Sequence, residues 1–227
     1  MRTIFLVDLS AIFCIYSKVD IRKVFCVFRG LKWLAILVIL LIATSYYVWS
    51  FHAFHPAWLG VVATSTGLSQ EEKVVQAAKN LQGVIYDYSG GRLLKLGLLV
   101  CTDVPRLSYQ AAGIDLGSLM AADYKKHPDN YAAFAGNNPS ISYFDRRVEN
   151  QKVFFSDTGR LIRNCTAPEL GDSVFYGTSH VTMVLAVYPD HTYDEIETAP
   201  GTLFVTVHYH KAWVPKDVGR FNRLQVR

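Results

Sequence analysis

The hydrophobic pattern begins with one long apolar run near the N-terminus. Residues 33–51 carry no charged side chain and include the run LAILVILLIA. These 19 residues provide enough α-helix to cross the roughly 30 Å hydrocarbon core of a bilayer. Trp33 at one end and Tyr46 and Trp49 at the other suit the two membrane interfaces. The pattern therefore predicts a transmembrane helix over residues 33–51.

Basic residues crowd the N-terminal side of this run. Residues 1–32 hold six of the 23 basic side chains and two of the 19 acidic ones, and the positive-inside tendency places this segment in the cytoplasm. No small-x-small cleavage site follows in SYYVWSFHAF, which favours an uncleaved anchor over a signal peptide. A helix over residues 33–51 would be apolar on every face, which favours a membrane anchor over a buried core helix. We expect a single-pass protein of a bacterial inner membrane whose domain lies in the periplasm or outside.

A connector and one domain are predicted after the membrane segment. Residues 52–68 contain one proline and two glycines without a helical period. The remaining residues 69–227 have the size of one domain. A capping box at Ser69 and Glu72 predicts a helix over residues 70–82.

Helical periodicity in this domain gives way to alternating runs. A second helix is predicted to open at Cys101 and to stop at Gly113, and a further helical stretch covers residues 151–158. The short β-type runs after Gly171 are Ser173 to Tyr176, His180 to Val187, Thr192 to Glu197 and Leu203 to His210. Helices followed by an antiparallel sheet constitute an α+β fold.

The net charge of +4 belongs to the N-terminal segment. From residue 52 onward the chain has 17 basic and 17 acidic side chains. A neutral domain lacks the basic footprint of a nucleic-acid-binding protein, and the sequence therefore disfavours a nucleic-acid partner.

Three residues could form a catalytic site. Cys101 at a helix start is a candidate nucleophile, because unpaired amides and the helix dipole favour a thiolate there. His180 begins an apolar strand and could serve as its base, with Glu197 on the next strand orienting the imidazole. A buried structural thiol and a strand-end histidine are the alternative interpretations.

The surrounding motifs resemble those of a known superfamily. GDSVFYGTSHVTMVL is similar to the strand pair of the NlpC-type cell-wall cysteine peptidases. VCTDVPRLSYQAAGIDL, FDRRVENQKVFF and VHYHKAW resemble an uncharacterised bacterial branch of that superfamily. The resemblance runs from about residue 70 to 213 and implies a papain-like domain with Cys101 as nucleophile and His180 as base.

The third catalytic position departs from the superfamily pattern. Related enzymes usually place His, Asn or Gln there, whereas the segment IETAPG offers Glu197. A carboxylate can hold the imidazole tautomer and stabilise its cation. Of the other acids, Glu195 is expected on the opposite strand face, and Asp194 would reach the Glu197 side only across a bulge.

Five further residues resemble supporting positions of that branch. Asp103, Arg146 and Arg147 suit substrate binding or a buried Asp–Arg pair that braces the active-site helix, and we favour the structural role. Tyr86 or Tyr88 matches the tyrosine that related enzymes keep near the thiolate.

Metal and disulfide chemistry are both disfavoured. His208 and His210 share a predicted strand face, but two ligands without nearby cysteine or acidic partners are weak evidence for zinc. Two of the four cysteines fall in residues 1–32, which leaves Cys101 and Cys165 and no disulfide framework. No cofactor is expected.

Together these features predict a membrane-anchored cysteine peptidase or amidase that hydrolyses amide bonds in peptidoglycan stem peptides. The resemblance suggests peptidoglycan as the partner, either in remodelling of the cell's own wall or as the target of an antibacterial effector, for which an inhibitor or immunity protein would be a further partner. The alternatives are a non-catalytic envelope binding module and a thiol-dependent acyltransferase of the same fold.

Overall fold

The computed structural model describes residues 32–47, 65–131 and 136–220. The chain divides into two compact units, Met1–Trp49 and Ser50–Arg227.

The first unit is described only over residues 32–47, which form an α-helix. None of the helices in the described ranges combines the length and the apolar character needed to cross a membrane. The last four residues of the predicted segment 33–51 lie outside the described residues, as do residues 1–31 and most of the predicted connector.

The second unit places its helices before its strands. Its described α-helices are α1 (Gln70–Asn80), α2 (Asp103–Ala111), α3 (Leu116–Lys126) and α4 (Val148–Asp157). Short 3₁₀ turns cover Leu94–Leu96, Pro128–Asn130 and Phe144–Arg146. The strands are β1 (Leu161–Cys165), β2 (Ser173–Tyr176), β3 (His180–Val187), β4 (Thr192–Glu197), β5 (Thr206–Ala212) and β6 (Lys216–Gly219). This order confirms the predicted α+β class.

Local sequence signals fix the ends of the first two helices. The hydroxyl of Ser69 accepts the Glu72 N–H at 3.2 Å, and the Glu72 carboxylate accepts the Ser69 N–H at 2.8 Å. This capping box satisfies two amides at the start of α1. Gly113, with a φ of 84°, follows α2 and ends it as predicted, because glycine adopts this left-handed conformation without strain.

The six strands of the described domain form one antiparallel sheet with the order β1-β6-β2-β3-β4-β5. Strand β6 comes last in the chain but lies between β1 and β2. In the central pairs, Tyr176 lies opposite His180 and Met183 opposite Ile196. Because β3 and β4 are antiparallel, the first residue of β3 and the last of β4 meet at the same end of the sheet.

The sheet is buried on both faces around β3. Val181, Met183 and Leu185 join the main core with residues of all four helices, whereas Val184 belongs to a second cluster on the opposite face. This alternation follows from the two-residue period of a strand. The second cluster contains Cys165, Val174, Val184, Tyr193 and Val218. Strand β3 is therefore held in the middle of the domain and gives its first residue a fixed position.

Candidate active site

Cys101 lies in the turn immediately before helix α2. Its carbonyl oxygen accepts the N–H of Val104 at 3.3 Å, and its side chain is partly exposed. The prediction that Cys101 itself opens the helix was wrong by two residues, since α2 begins at Asp103 with Thr102 as the N-cap. The thiol nevertheless lies at the N-terminal end of the helix, where amide dipoles favour negative charge.

A buried carboxylate holds this turn in place. Asp103 is fully buried and accepts the N–H of Val100 at 2.9 Å. Arg146 donates to both Asp103 oxygens at 2.7 and 2.5 Å, and Arg106 donates to one of them at 3.0 Å. The hydroxyl of Thr102 donates to the carbonyl of Arg146 at 2.9 Å. The Asp103–Arg146 ion pair therefore braces the turn that presents Cys101.

His180 and Glu197 meet at one end of the sheet. His180 is the first residue of β3 and Glu197 is the last residue of β4. Nε2 of His180 is hydrogen-bonded to Oε2 of Glu197, and both side chains are mostly buried.

The second oxygen of Glu197 binds another histidine. Nε2 of His208, on β5, lies 2.8 Å from Oε1 of Glu197. The hydrogen bond from His180 and that from His208 outweigh the effect of burial and lower the pKa of Glu197 to about 2. An ionised carboxylate can only accept hydrogen bonds, so both Nε2 atoms carry a hydrogen. The sequence pattern indicates His208 only as a weak metal-ligand candidate, because the register that brings it to Glu197 is not visible in the sequence.

The imidazole of His180 also interacts with the thiol of Cys101. Burial lowers the pKa of His180, but hydrogen bonds to Cys101 and Glu197 outweigh it and raise the pKa to about 9. Nε2 is bonded to Glu197, so Nδ1 is the ring nitrogen that Glu197 does not use. The structure thus brings Cys101, His180 and Glu197 together, with the histidine in the middle.

Of the two candidate tyrosines, Tyr86 lies near the thiol. Burial and then the electrostatic interaction with Cys101 raise the pKa of Tyr86. Tyr88 is exposed, packs edge-on against Tyr86 at 4.9 Å between ring centres, and donates its hydroxyl to the carbonyl of Pro200 at 2.7 Å. Tyr86 also forms a β-bridge with Leu99, two residues before Cys101, so Tyr86 is the candidate tyrosine on the segment next to the thiol.

Arg147 lies beside the turn that presents Cys101 and is not part of the group formed by Cys101, His180 and Glu197. Its guanidinium carbon is 4.7 Å from the centre of the Tyr143 ring. Arg146 and Arg147 both line a pocket of about 620 Å³.

The prediction that Glu195 lies on the strand face opposite to Glu197 was wrong. Residues two apart in a strand share a face, and the Glu195 carboxylate accepts a hydrogen bond at 3.0 Å from Thr182, two residues after His180 on β3. Glu195 is buried in a polar cluster of its own rather than bonded to His180. Its other donors are Tyr193 at 2.8 Å, Tyr176 at 2.9 Å and Lys211.

Asp194 has different partners again. Its carboxylate accepts the hydroxyl of Tyr188 at 2.8 Å and the N–H of His210 at 2.9 Å. The register of β4 against β5 does shift between Tyr193 and Glu195. Despite this irregularity, Glu197 is the acid that binds His180.

The two histidines of β5 have separate surroundings. His208 binds Glu197, whereas the ring of His210 stacks on Tyr188 with 4.4 Å between ring centres. His210 has a left-handed φ of 49°, which interrupts the regular strand geometry between the two rings. Within the described ranges there is no group of three or more His, Cys, Asp or Glu that could hold a metal ion. Cys101 and Cys165 are both free thiols.

These observations define an α+β domain with a Cys–His–Glu array at one end of its antiparallel sheet. The chain belongs to the DUF1287 family, described as a domain of unknown function, whose family model matches residues 72–196. The matched range includes Cys101 and His180 and ends one residue before Glu197.

Comparison with solved structures finds a crystal structure of the P60 domain from the M. avium subspecies paratuberculosis antigen MAP1204. It is 20% identical in sequence with a TM-score of 0.41, over 66% of this chain and 93% of that chain. None of the curated proteins matches the chain.

Proposed function

We propose that this domain is a cysteine hydrolase that cleaves amide bonds. The observation that supports the proposal is the position of His180, which interacts with the thiol of Cys101 on one side and with the carboxylate of Glu197 on the other. A nucleophile, a base and an orienting group in this sequence of contacts are the parts that acyl transfer through a thioester requires.

In the first step the Cys101 thiolate forms a bond to the amide carbonyl carbon. The developing oxyanion accepts the backbone N–H of Cys101, as preorganised amide donors stabilise such charge. His180, which keeps its proton at neutral pH because its pKa is about 9, donates that proton to the leaving amine as the carbon–nitrogen bond breaks. The products are a thioester on Cys101 and a free amine.

In the second step water replaces the amine. Neutral His180 removes a proton from the water molecule, whose oxygen attacks the thioester carbon. The carbon–sulfur bond breaks and restores the thiolate beside imidazolium, with release of a carboxylic acid. Glu197 orients the imidazole and stabilises its cation in both steps, and His208 holds the other oxygen of that carboxylate.

The proposed substrate is the stem peptide of peptidoglycan, in keeping with the resemblance of the motifs around Cys101 and His180 to NlpC-type cell-wall peptidases. Access to that polymer requires export. We propose that residues 33–51 anchor the chain in the inner membrane, with the domain on the outer side. The uncharged run and its basic N-terminal flank support this topology.

The catalytic proposal is tested with purified sacculi and the variants Cys101→Ala and Cys101→Ser. We expect the wild-type protein to release soluble muropeptides and both variants to release none. Cys165→Ala is the matched control, because it removes the other described thiol and leaves the array intact. Release that persists in both Cys101 variants would show that the chain is no thiol hydrolase. Mass spectrometry of the products identifies the bond and separates hydrolysis from acyl transfer.

The proposed anchor has an independent test. We expect the full chain to remain with membranes after alkaline carbonate extraction, and a variant with two lysines replacing Leu37 and Leu41 to be released. A full chain that is extracted like a peripheral protein would contradict the anchor without affecting the catalytic proposal.

A further inference from the structure

A pocket of about 620 Å³ lies beside the turn that presents Cys101. One wall is the loop of residues 89–92, and the other consists of Ser142, Tyr143, Arg146 and Arg147. The two walls come from segments about 50 residues apart in the sequence, so the pocket is a product of the fold.

The lining of this pocket is cationic. It contains the side chains of Arg92, Arg146 and Arg147, and no aspartate or glutamate is among its described lining residues. Arg146 is neutralised by Asp103. The Arg147 guanidinium stacks over the Tyr143 ring, a contact that orients its plane. Guanidinium groups match the two oxygens of a carboxylate in bidentate geometry.

The loop that forms the first wall is preorganised. The buried carboxylate of Asp87 accepts the N–H of Ser89 at 2.8 Å, the hydroxyl of Ser89 at 2.5 Å and the N–H of Leu93 at 2.7 Å. Gly91 has a φ of 92°, and a Cβ there would lie 3.1 Å from the guanidinium of Arg146. The loop therefore approaches the second wall as closely as a glycine allows.

Short connections join the pocket to the nucleophile. Arg146 donates to the carbonyl of Gly91 on one side and to Asp103 on the other, and Asp103 is two residues after Cys101. Tyr86, whose pKa is raised in part by Cys101, leads directly into the loop. The arginine pocket therefore adjoins the two segments that carry Tyr86 and Cys101.

We infer that this arginine pocket binds a carboxylate of the substrate, and that it selects peptides bearing a free carboxylate near the scissile amide. The inference rests on the proposed hydrolase function for its substrate class. Arg92 and Arg147 supply the charge that recognises the carboxylate, and Arg146 forms the wall that links recognition to the active-site turn.

The test uses synthetic stem peptides in which each carboxylate in turn is replaced by a primary carboxamide. We expect one replacement to lower kcat/KM of the wild-type protein by about tenfold or more, since a charge-assisted hydrogen bond becomes a neutral one. Arg147→Gln and Arg92→Gln should lower kcat/KM for the free acid and remove the difference between acid and amide. Arg163→Gln is the matched control, because this exposed arginine pairs with Asp217 on the sheet.

Binding to the Cys101→Ala variant keeps the inference separate from the catalytic proposal. In calorimetry we expect the free acid to bind about tenfold or more tightly than its amide, whether or not the wild-type protein cleaves either peptide. Equal binding of the two forms, or binding of neither, would overturn the inference. Inorganic phosphate that competes as well as the acid peptide would also overturn it, by assigning the pocket to phosphate. Failure of hydrolysis alone would count against the proposed function only.

Discussion

Glu197 receives a hydrogen bond from Nε2 of His208 at 2.8 Å, on the carboxylate oxygen that does not face His180. The carboxylate is thus held at both oxygens, by a histidine on each neighbouring strand. Since β3 and β5 flank β4 in the sheet, the arrangement fixes the orienting acid from two sides. A carboxylate held in this way can keep the imidazole in one orientation through both steps of the proposed reaction.

The first prediction concerns Glu197 itself. Glu197→Gln retains the size of the side chain but loses the charge that stabilises the imidazolium. We expect kcat to fall by about 10²-fold or more, with KM much less affected, because orientation and charge matter mainly in the transition state. Steady-state kinetics on a stem peptide would measure this split. Equal kcat for Glu197→Gln and wild type would remove Glu197 from the mechanism.

The second prediction tests whether His208 affects catalysis through its contact with Glu197 or has only a structural role. His208→Ala removes one of the two donors that lower the pKa of Glu197, so that pKa should rise and the acidic limb of the rate profile should move to higher pH. We expect kcat to fall by about tenfold, in line with the loss of a charge-assisted hydrogen bond. His208→Gln, which restores a donor, should recover part of the loss.

His210→Ala is the control for this series. His210 is on the same strand but stacks on Tyr188 instead of binding Glu197. Its removal should leave the acidic limb in place. Identical pH profiles for the His208 and His210 variants would show that contact with Glu197 has no role in catalysis.

The third prediction follows from the two shifted pKa values. The pKa of His180 is raised from 6.5 to about 9, and that of Glu197 is lowered from 4.5 to about 2. Because folding raises the pKa of His180, this residue stabilises the fold fully below its unfolded pKa and loses that effect as pH rises through 9. Because folding lowers the pKa of Glu197, this residue stabilises the fold fully above its unfolded pKa and loses that effect as pH falls through 2. The pair therefore contributes fully only between about pH 4.5 and 6.5.

At alkaline pH, kcat/KM of the proposed reaction should follow the titration of His180. As pH rises through about 9, His180 loses the proton that the leaving amine requires, and kcat/KM should decline. In Glu197→Gln this limb should move to lower pH, because one of the interactions that raise the pKa of His180 is gone. An alkaline limb that stays in place in this variant would mean that another group titrates.

Sequence patterns predicted the parts of the fold that local signals specify. The capping box at Ser69 and Glu72 and the alternating run of β3 are complete within a few neighbouring residues. Strand β6 was missed because its four residues have no distinctive alternation and gain their place by pairing with β1 and β2. Helix α3, which begins after the N-cap Asp115, was also missed, because the hydrophobic periodicity of its sequence is weak.

The site shows the same division between local and nonlocal information. The opposite ends of β3 and β4 could be expected to meet once the hairpin was recognised, and His180 and Glu197 do meet there. The contact of Glu197 with His208 depends on the register of β4 against β5, which the structure sets by pairing Glu195 with His208. No pattern within either strand reveals that register.

The fourth prediction concerns the brace beneath the active-site turn. Asp103→Asn should lower the free energy of unfolding by about 3–5 kcal/mol, because it leaves the buried Arg146 guanidinium without its ionised partner. Urea denaturation would measure the loss. Arg106→Gln should cost less, since Arg106 is more exposed and Arg146 still binds both oxygens of Asp103. Equal losses for the two variants would contradict the brace.

The last prediction concerns the place where helix α4 crosses the sheet. Gly219 pairs with Leu161 of β1 and Ser173 of β2, and a Cβ at this position would lie 2.6 Å from the ring of Phe155. Phe155 is fully buried and cannot move aside without disturbing the core. Gly219→Ala should therefore lower the free energy of unfolding by about 1–3 kcal/mol, as overpacking does. Gly201→Ala, with nothing within 4 Å of its added carbon, should leave it nearly unchanged. Equal urea midpoints for the two variants would show that Phe155 does not pack against the strand as described.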